Sequence, residues 1–89
     1  MISEEQVRRG VTQIMAEEFE LEPELLQPDA TLYEDLGLDS LDAVDMVVAL
    51  EKAFGMKMTD EEAVRAVRTL GDLFELVGRL SNQQAAKEW

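Results

Sequence analysis

The chain has 89 residues, 46% of them hydrophobic, with 20 acidic and 8 basic side chains and a formal net charge of −12. That length supports one domain with one modest core, and the hydrophobic fraction argues for a folded chain rather than a disordered one. Cysteine and histidine are both absent, which excludes disulfides, thiolate metal sites, thiol catalysis and the commonest general base.

No apolar run reaches the roughly 20 residues a membrane-spanning helix needs. Met1-Ile2-Ser3-Glu4-Glu5 does not read as a signal peptide, so a cytoplasmic protein is expected. The charge would repel nucleic acid and anionic membranes and attract basic partners. It is unevenly spread. From Gly10 to Leu50 there is no Lys or Arg, while Glu17, Glu18, Glu20, Glu22, Glu24, Asp29, Glu34, Asp35, Asp39, Asp42 and Asp45 fall there, with Glu51 just beyond. This is either a solvated surface or a docking face.

A first helix starts after Ser3, with Gln6 at capping-box spacing. Val7, Val11, Ile14 and Met15 form its apolar stripe to about Glu18, ahead of Pro23. Residues 19–39 are a long connection punctuated by Pro23, Pro28 and Gly37. Its leucines, Leu21, Leu25, Leu26, Leu32, Leu36 and Leu38, require it to be pinned to the core, and such loops tend to carry function. Thr31 with Glu34 is expected to cap a short turn within it.

A second helix starts at Asp39-Ser40. Leu41, Val44, Val47, Val48 and Phe54 are expected to share its core face, flanked by Met46 and Leu50, with Gly55 as C-terminal cap. A third, short helix is expected from Thr59, with Glu62 three residues on and Ala63, Val64 and Val67 as its apolar side. The fourth starts near Thr69 and uses Leu70, Leu73, Phe74, Val77 and Leu80, weakened by Gly71 and Gly78. From Ser81 to Trp89 the period is lost and a frayed tail is expected. The fold class is therefore all-α: a small four-helix bundle of three longer helices and one short helix, with a long loop between the first and second. The domain is expected to span 1–80 and the tail 81–89.

The run Asp35-Leu36-Gly37-Leu38-Asp39-Ser40-Leu41-Asp42 resembles the attachment motif of acyl carrier proteins, the phosphopantetheine-binding carriers. Their core is Asp-Ser-Leu after a glycine-containing loop. The likeness continues from Ala43 to Phe54 and resumes at Thr59-Asp60-Glu61-Glu62-Ala63. In register with the helix order, it covers nearly the whole chain.

The resemblance implies that Ser40, flanked by Asp39 and Leu41, is esterified by 4'-phosphopantetheine. A separate phosphopantetheinyl transferase would take the group from coenzyme A with the help of a magnesium ion. The arm's thiol would carry acyl intermediates of fatty-acid or related lipid or polyketide biosynthesis as thioesters. This accounts for thiol chemistry on a chain without cysteine. The chain would then be a non-catalytic monomer, a substrate-bearing partner of enzymes that present basic docking patches, not inserted in membranes and not bound to nucleic acid. Asp39, Asp42, Asp45 and Glu51 carry over as docking residues. Leu32, Met46, Leu50, Met58, Ala63 and Leu70 would line an acyl pocket if the family pattern holds.

The position of Ser40 fits that reading, because free N–H groups and the helix dipole at a helix start favour an anion, and Asp39 can cap the helix and leave the Ser40 hydroxyl exposed. The bland alternative makes Asp39 and Ser40 only a capping pair. A serine hydrolase is excluded, since no histidine can accept the proton and no Gly-x-Ser-x-Gly turn is present. Asp35, Asp39, Asp42 and Asp45 do not follow the alternating ligand pattern of a calcium-binding loop, so no dedicated metal site is expected. Lys52 and Ala53 stand where common fatty-acid carriers continue with acidic residues, which leaves a specialised carrier open. An unmodified acidic interaction or cation-binding protein is the alternative of a different class.

Overall fold

The computed structural model describes residues 3–58 and 61–87, excepting the side chains of Glu61 and of residues 85–87. Among them are α1 (Glu4–Phe19), α2 (Ser40–Phe54), α3 (Glu61–Ala66) and α4 (Leu70–Lys87), and no strand beyond one isolated bridge. This is the expected all-helical bundle of three longer helices and a short one. The expected start of α3 at Thr59, and Trp89, lie outside the described residues.

Each long helix begins where a side chain replaces the missing helical partner of a backbone amide. At α1, Ser3 Oγ accepts the Gln6 N–H at 3.2 Å and Gln6 Oε1 accepts the Ser3 N–H at 3.0 Å, the expected capping box. At α4, Thr69 Oγ1 accepts the Asp72 N–H at 3.2 Å. Asp72 Oδ2 accepts the N–H groups of Arg68 and Thr69 at 3.1 and 3.2 Å in return. Gly55 closes α2 with φ +61°, a left-handed conformation that favours glycine.

α1 packs against both α2 and α4. Val7, Val11 and Met15 bury against Met46 and Leu50 of α2 and Leu70, Leu73, Leu76 and Val77 of α4. Burying side chains of this size stabilises by about 1.5–3 kcal/mol each.

The phase of α2 differs from expectation. Met46 and Leu50 are 2% and 0% exposed, whereas Leu41, Val44 and Val48 are 75%, 60% and 44% exposed. Val47 and Phe54 are half-buried. Apolar residues surround most of this helix, so periodicity alone cannot choose the buried face. The packing of α1 and the long connection chooses it.

The connection between α1 and α2 is pinned by most of its leucines, although Leu25 is exposed and Leu21 half-buried. Leu26, Ala30, Leu32, Leu36 and Leu38 are buried. A 3₁₀ turn forms at Pro23–Leu25, and farther on the backbone ties itself to the start of α4. Leu32 N–H donates to the Arg68 carbonyl at 2.9 Å, Leu70 N–H to Ala30 at 3.0 Å and Gly71 N–H to Pro28 at 2.8 Å. The turn within the loop uses Asp35, not the expected Glu34. Thr31 N–H donates to Asp35 Oδ2 at 2.8 Å and Asp35 N–H to Thr31 Oγ1 at 3.1 Å. Glu34 is exposed. The chain closes over four residues here, so the acid one place later meets Thr31.

Among the described residues α4 continues past Leu80 to Lys87. The apolar period does end, but polar contacts replace it. Ser81 Oγ donates to Met56 Sδ at 3.3 Å, and Gln84 grips the main chain of Lys57.

Candidate functional site

Ser40 is the first residue of α2 and Asp39 is its N-cap. The local sequence dictates this. Gly37 takes φ +69°, which turns the chain at little steric cost. Leu36 and Leu38 on either side anchor in the core at 6% and 7% exposure. The next two residues are therefore delivered to the surface at a helix start. Both Asp39 and Ser40 are exposed.

Asp39 and Asp42 close a reciprocal capping box. Asp39 Oδ1 accepts the N–H groups of Leu41 and Asp42 at 3.0 and 2.9 Å. Asp42 Oδ2 accepts the Asp39 N–H at 3.1 Å. Asp39 thus caps the helix as expected, and its carboxylate satisfies two of the N-terminal amides. What remains at Ser40 is the field of the helix dipole and a hydroxyl that enters no hydrogen bond among the described residues. An exposed, uncommitted hydroxyl on a capped helix end fits a phosphoester, because the oxygen is available.

The other docking candidates occupy different environments. Asp45 is exposed one turn along from Asp42. Asp42 is half-buried within the cap. Glu51 is half-buried as well, and its Oε2 accepts the Met58 N–H at 3.2 Å, so its carboxylate is committed to the chain itself. Leu41, Val44 and Val48 at i, i+3 and i+7 form an exposed apolar stripe beside these acids. Sequence reasoning placed this stripe in the core. Its signal was the excess of apolar residues around the helix.

Ser40 lines a groove of about 450 Å³. Leu32, Met46 and Met58 of the expected pocket set line it, together with Ala43, Val47, Val64 and Val67, the stripe residues Val44 and Val48, and Tyr33 and Arg65 as polar groups. Leu50 and Leu70 are both 0% exposed in the core and Ala63 is half-buried; none of the three lines this groove. Val47, Val64 and Val67 were not in the pocket set, though their apolar character was legible. A second groove of about 450 Å³ lies between α1 and α4, against Arg8, Phe74 and Arg79, and does not reach Ser40. Among the described residues, no three carboxylates converge to hold a metal ion.

Two carboxylates in this half of the molecule are tuned. The Thr31 N–H, and then the Thr31 hydroxyl, lower the pKa of Asp35 below its ordinary value. The Arg68 and Thr69 N–H groups lower that of Asp72. Hydrogen bonds to a charged form favour that form.

Residues 9–77 match a family model described as a phosphopantetheine attachment site. An acyl carrier protein of Syntrophobacter fumaroxidans is 38% identical over 69 residues, covering 78% of this chain and 84% of that protein. One from Thermosynechococcus vestitus is 34% identical over 76 residues, covering 85% and 93%. Acyl carrier protein 2 of Ralstonia nicotianae is 35% identical over 79 residues, covering 89% and 96%.

Proposed function

The chain belongs to the acyl carrier protein family, and on that footing we propose that Ser40 bears its prosthetic group. The group is a covalently bound 4'-phosphopantetheine, which supplies a terminal thiol that holds acyl chains as thioesters. The single observation that carries the assignment is the exposed, uncommitted hydroxyl of Ser40 at the first turn of α2, beside a groove that Ser40 lines.

The chain's own residues do four things. Ser40 Oγ offers the oxygen that forms the phosphoester. The Asp39–Asp42 box keeps the first turn of α2 rigid, so the hydroxyl is presented in one place. The exposed stripe of Leu41 and Val44, with Asp45 beside it, presents a mixed apolar and acidic face to partner enzymes. Opposite charge would make such encounters fast, weak and salt-sensitive, which suits a carrier that must leave each partner. The groove of Leu32, Met46, Val47 and Met58 takes an acyl chain that folds back from the arm.

The partners in this reading are a phosphopantetheinyl transferase and the enzymes that build and transfer acyl chains in fatty-acid or related lipid or polyketide synthesis. The chain itself catalyses nothing. Among the described residues no helix is long and apolar enough to cross a membrane, and a cytoplasmic site of action is part of the proposal. Substituting Ser40→Ala tests the assignment. The variant should fold with stability unchanged to within about 0.5 kcal/mol yet accept no phosphopantetheine; a modified variant would move the attachment elsewhere.

A further inference from the structure

The segment 56–58 leads from the end of α2 to the wall of the groove, and it is gripped from two sides. From α4, one side-chain amide takes both main-chain groups of a single residue. Lys57 N–H donates to Gln84 Oε1 at 2.8 Å, and Gln84 Nε2 donates to the Lys57 carbonyl at 2.7 Å. From α2, Glu51 Oε2 accepts the Met58 N–H at 3.2 Å and the Glu51 carbonyl accepts the Met56 N–H at 3.2 Å. Met56 and Met58 are 4% and 6% exposed between these grips.

Lys57 is exposed, so water could satisfy its main chain without Gln84. What the side-chain amide adds is therefore position. A donor and an acceptor held in one plane fix a peptide much as a neighbouring strand would. The Met58 side chain lines the groove. Methionine is unbranched and adaptable, so the depth of the groove there is set by where its backbone is held. A carboxylate in α2 and an amide beyond the apolar part of α4 do the holding.

We propose that Gln84 and Glu51 are positioning residues that fix Met58 at the groove wall and thereby set the length of acyl chain the groove accepts. The proposal rests on the reading of that groove as the acyl site. It gives the continuation of α4 past Leu80 a role in cargo selection, and it gives Glu51 a duty inside the chain.

The test uses the full chain loaded at Ser40 with a series of saturated acyl-phosphopantetheines, butanoyl to dodecanoyl, and reads the melting temperature of each form. A chain buried only in the folded state raises stability, and the rise stops when the groove is full. The wild type should climb with chain length and then level off. In Gln84→Ala and in Glu51→Ala the levelling point should move to chains longer by about two carbons, because the wall yields. Glu51→Gln should restore the wild-type levelling point, since an amide oxygen still accepts the Met58 N–H. A purely structural role would lower every form's melting temperature equally and leave the levelling point in place; that result overturns the proposal and spares the acyl groove. A wild type whose melting temperature ignores chain length overturns both.

Discussion

Gly71 and Pro28 meet backbone to backbone. The Gly71 N–H donates to the Pro28 carbonyl at 2.8 Å, and a Cβ on Gly71 would lie 3.0 Å from that same oxygen. The long connection is thus laced to the start of α4 at a point where only glycine fits without movement. The lacing includes Leu32 to Arg68 and Leu70 to Ala30. It brings Leu32 to the groove that Ser40 also lines.

The two glycines of α4 should respond oppositely to alanine. Gly71→Ala gains about 1 kcal/mol of helix propensity but must push the Pro28 carbonyl away, and overpacking of this kind costs about 1–3 kcal/mol. A net loss of stability is expected. At Gly78 a Cβ would meet only Val7 Cγ2, at an ordinary 3.7 Å, so Gly78→Ala should stabilise by about 0.5–1 kcal/mol. Denaturant midpoints of the two variants check both signs. A stabilised Gly71→Ala would mean that the connection is not held there.

Asp45→Lys is the clean test of the docking face. Asp39 and Asp42 are committed to the cap, so replacing either disturbs the helix start at a cost of about 0.5–2 kcal/mol. Asp45 is exposed, and among the described residues it enters no hydrogen bond. Reversing its charge should slow association with a phosphopantetheinyl transferase several-fold at low salt, with the gap closing as salt screens it. Stopped-flow association rates across a salt series measure this. Equal rates at low salt would remove Asp45 from the interface.

Acid should loosen the lacing. Asp35 and Asp72 cap the two segments joined by the Thr31–Thr69 bridge, and both have pKa values depressed below the ordinary 3.8 by N–H donors. A depressed folded value means the carboxylate stabilises the fold fully above its unfolded value and loses that contribution as pH falls through the folded one. The stability gap between wild type and Asp72→Ala should therefore be constant above pH 3.8 and shrink below it. Reading the gap, rather than the wild type alone, cancels the general relief of self-repulsion on acidification. A gap that widens in acid would contradict the capping role.

Much of this was legible in the sequence because local chemistry fixed it. Ser3 with Gln6, Asp39 before Ser40, and Gly55 after Phe54 are short-range signals, and each stands where expected. The phase of α2 was not legible. A helix that is apolar at Leu41, Ala43, Val44, Met46, Val47, Val48 and Leu50 offers several candidate faces, and contacts distant in sequence choose among them. The same reason hid Glu51. Its charge looked like surface until Met58, seven residues on, came back to it. Gln84 was hidden because its partner Lys57 lies 27 residues away. For the groove, composition supplied the apolar residues but not their neighbours. Leu50 and Leu70 fit the pattern yet bury completely, while Val47, Val64 and Val67 line the groove.

The most direct test of the account is the mass and modification site of the purified chain after incubation with coenzyme A, Mg²⁺ and a broad-specificity phosphopantetheinyl transferase. The account predicts one phosphopantetheinyl addition, mapped by peptide fragmentation to Ser40. An unmodified chain, folded and beside a control carrier that is fully modified, would contradict it, as would an addition mapped to any other residue.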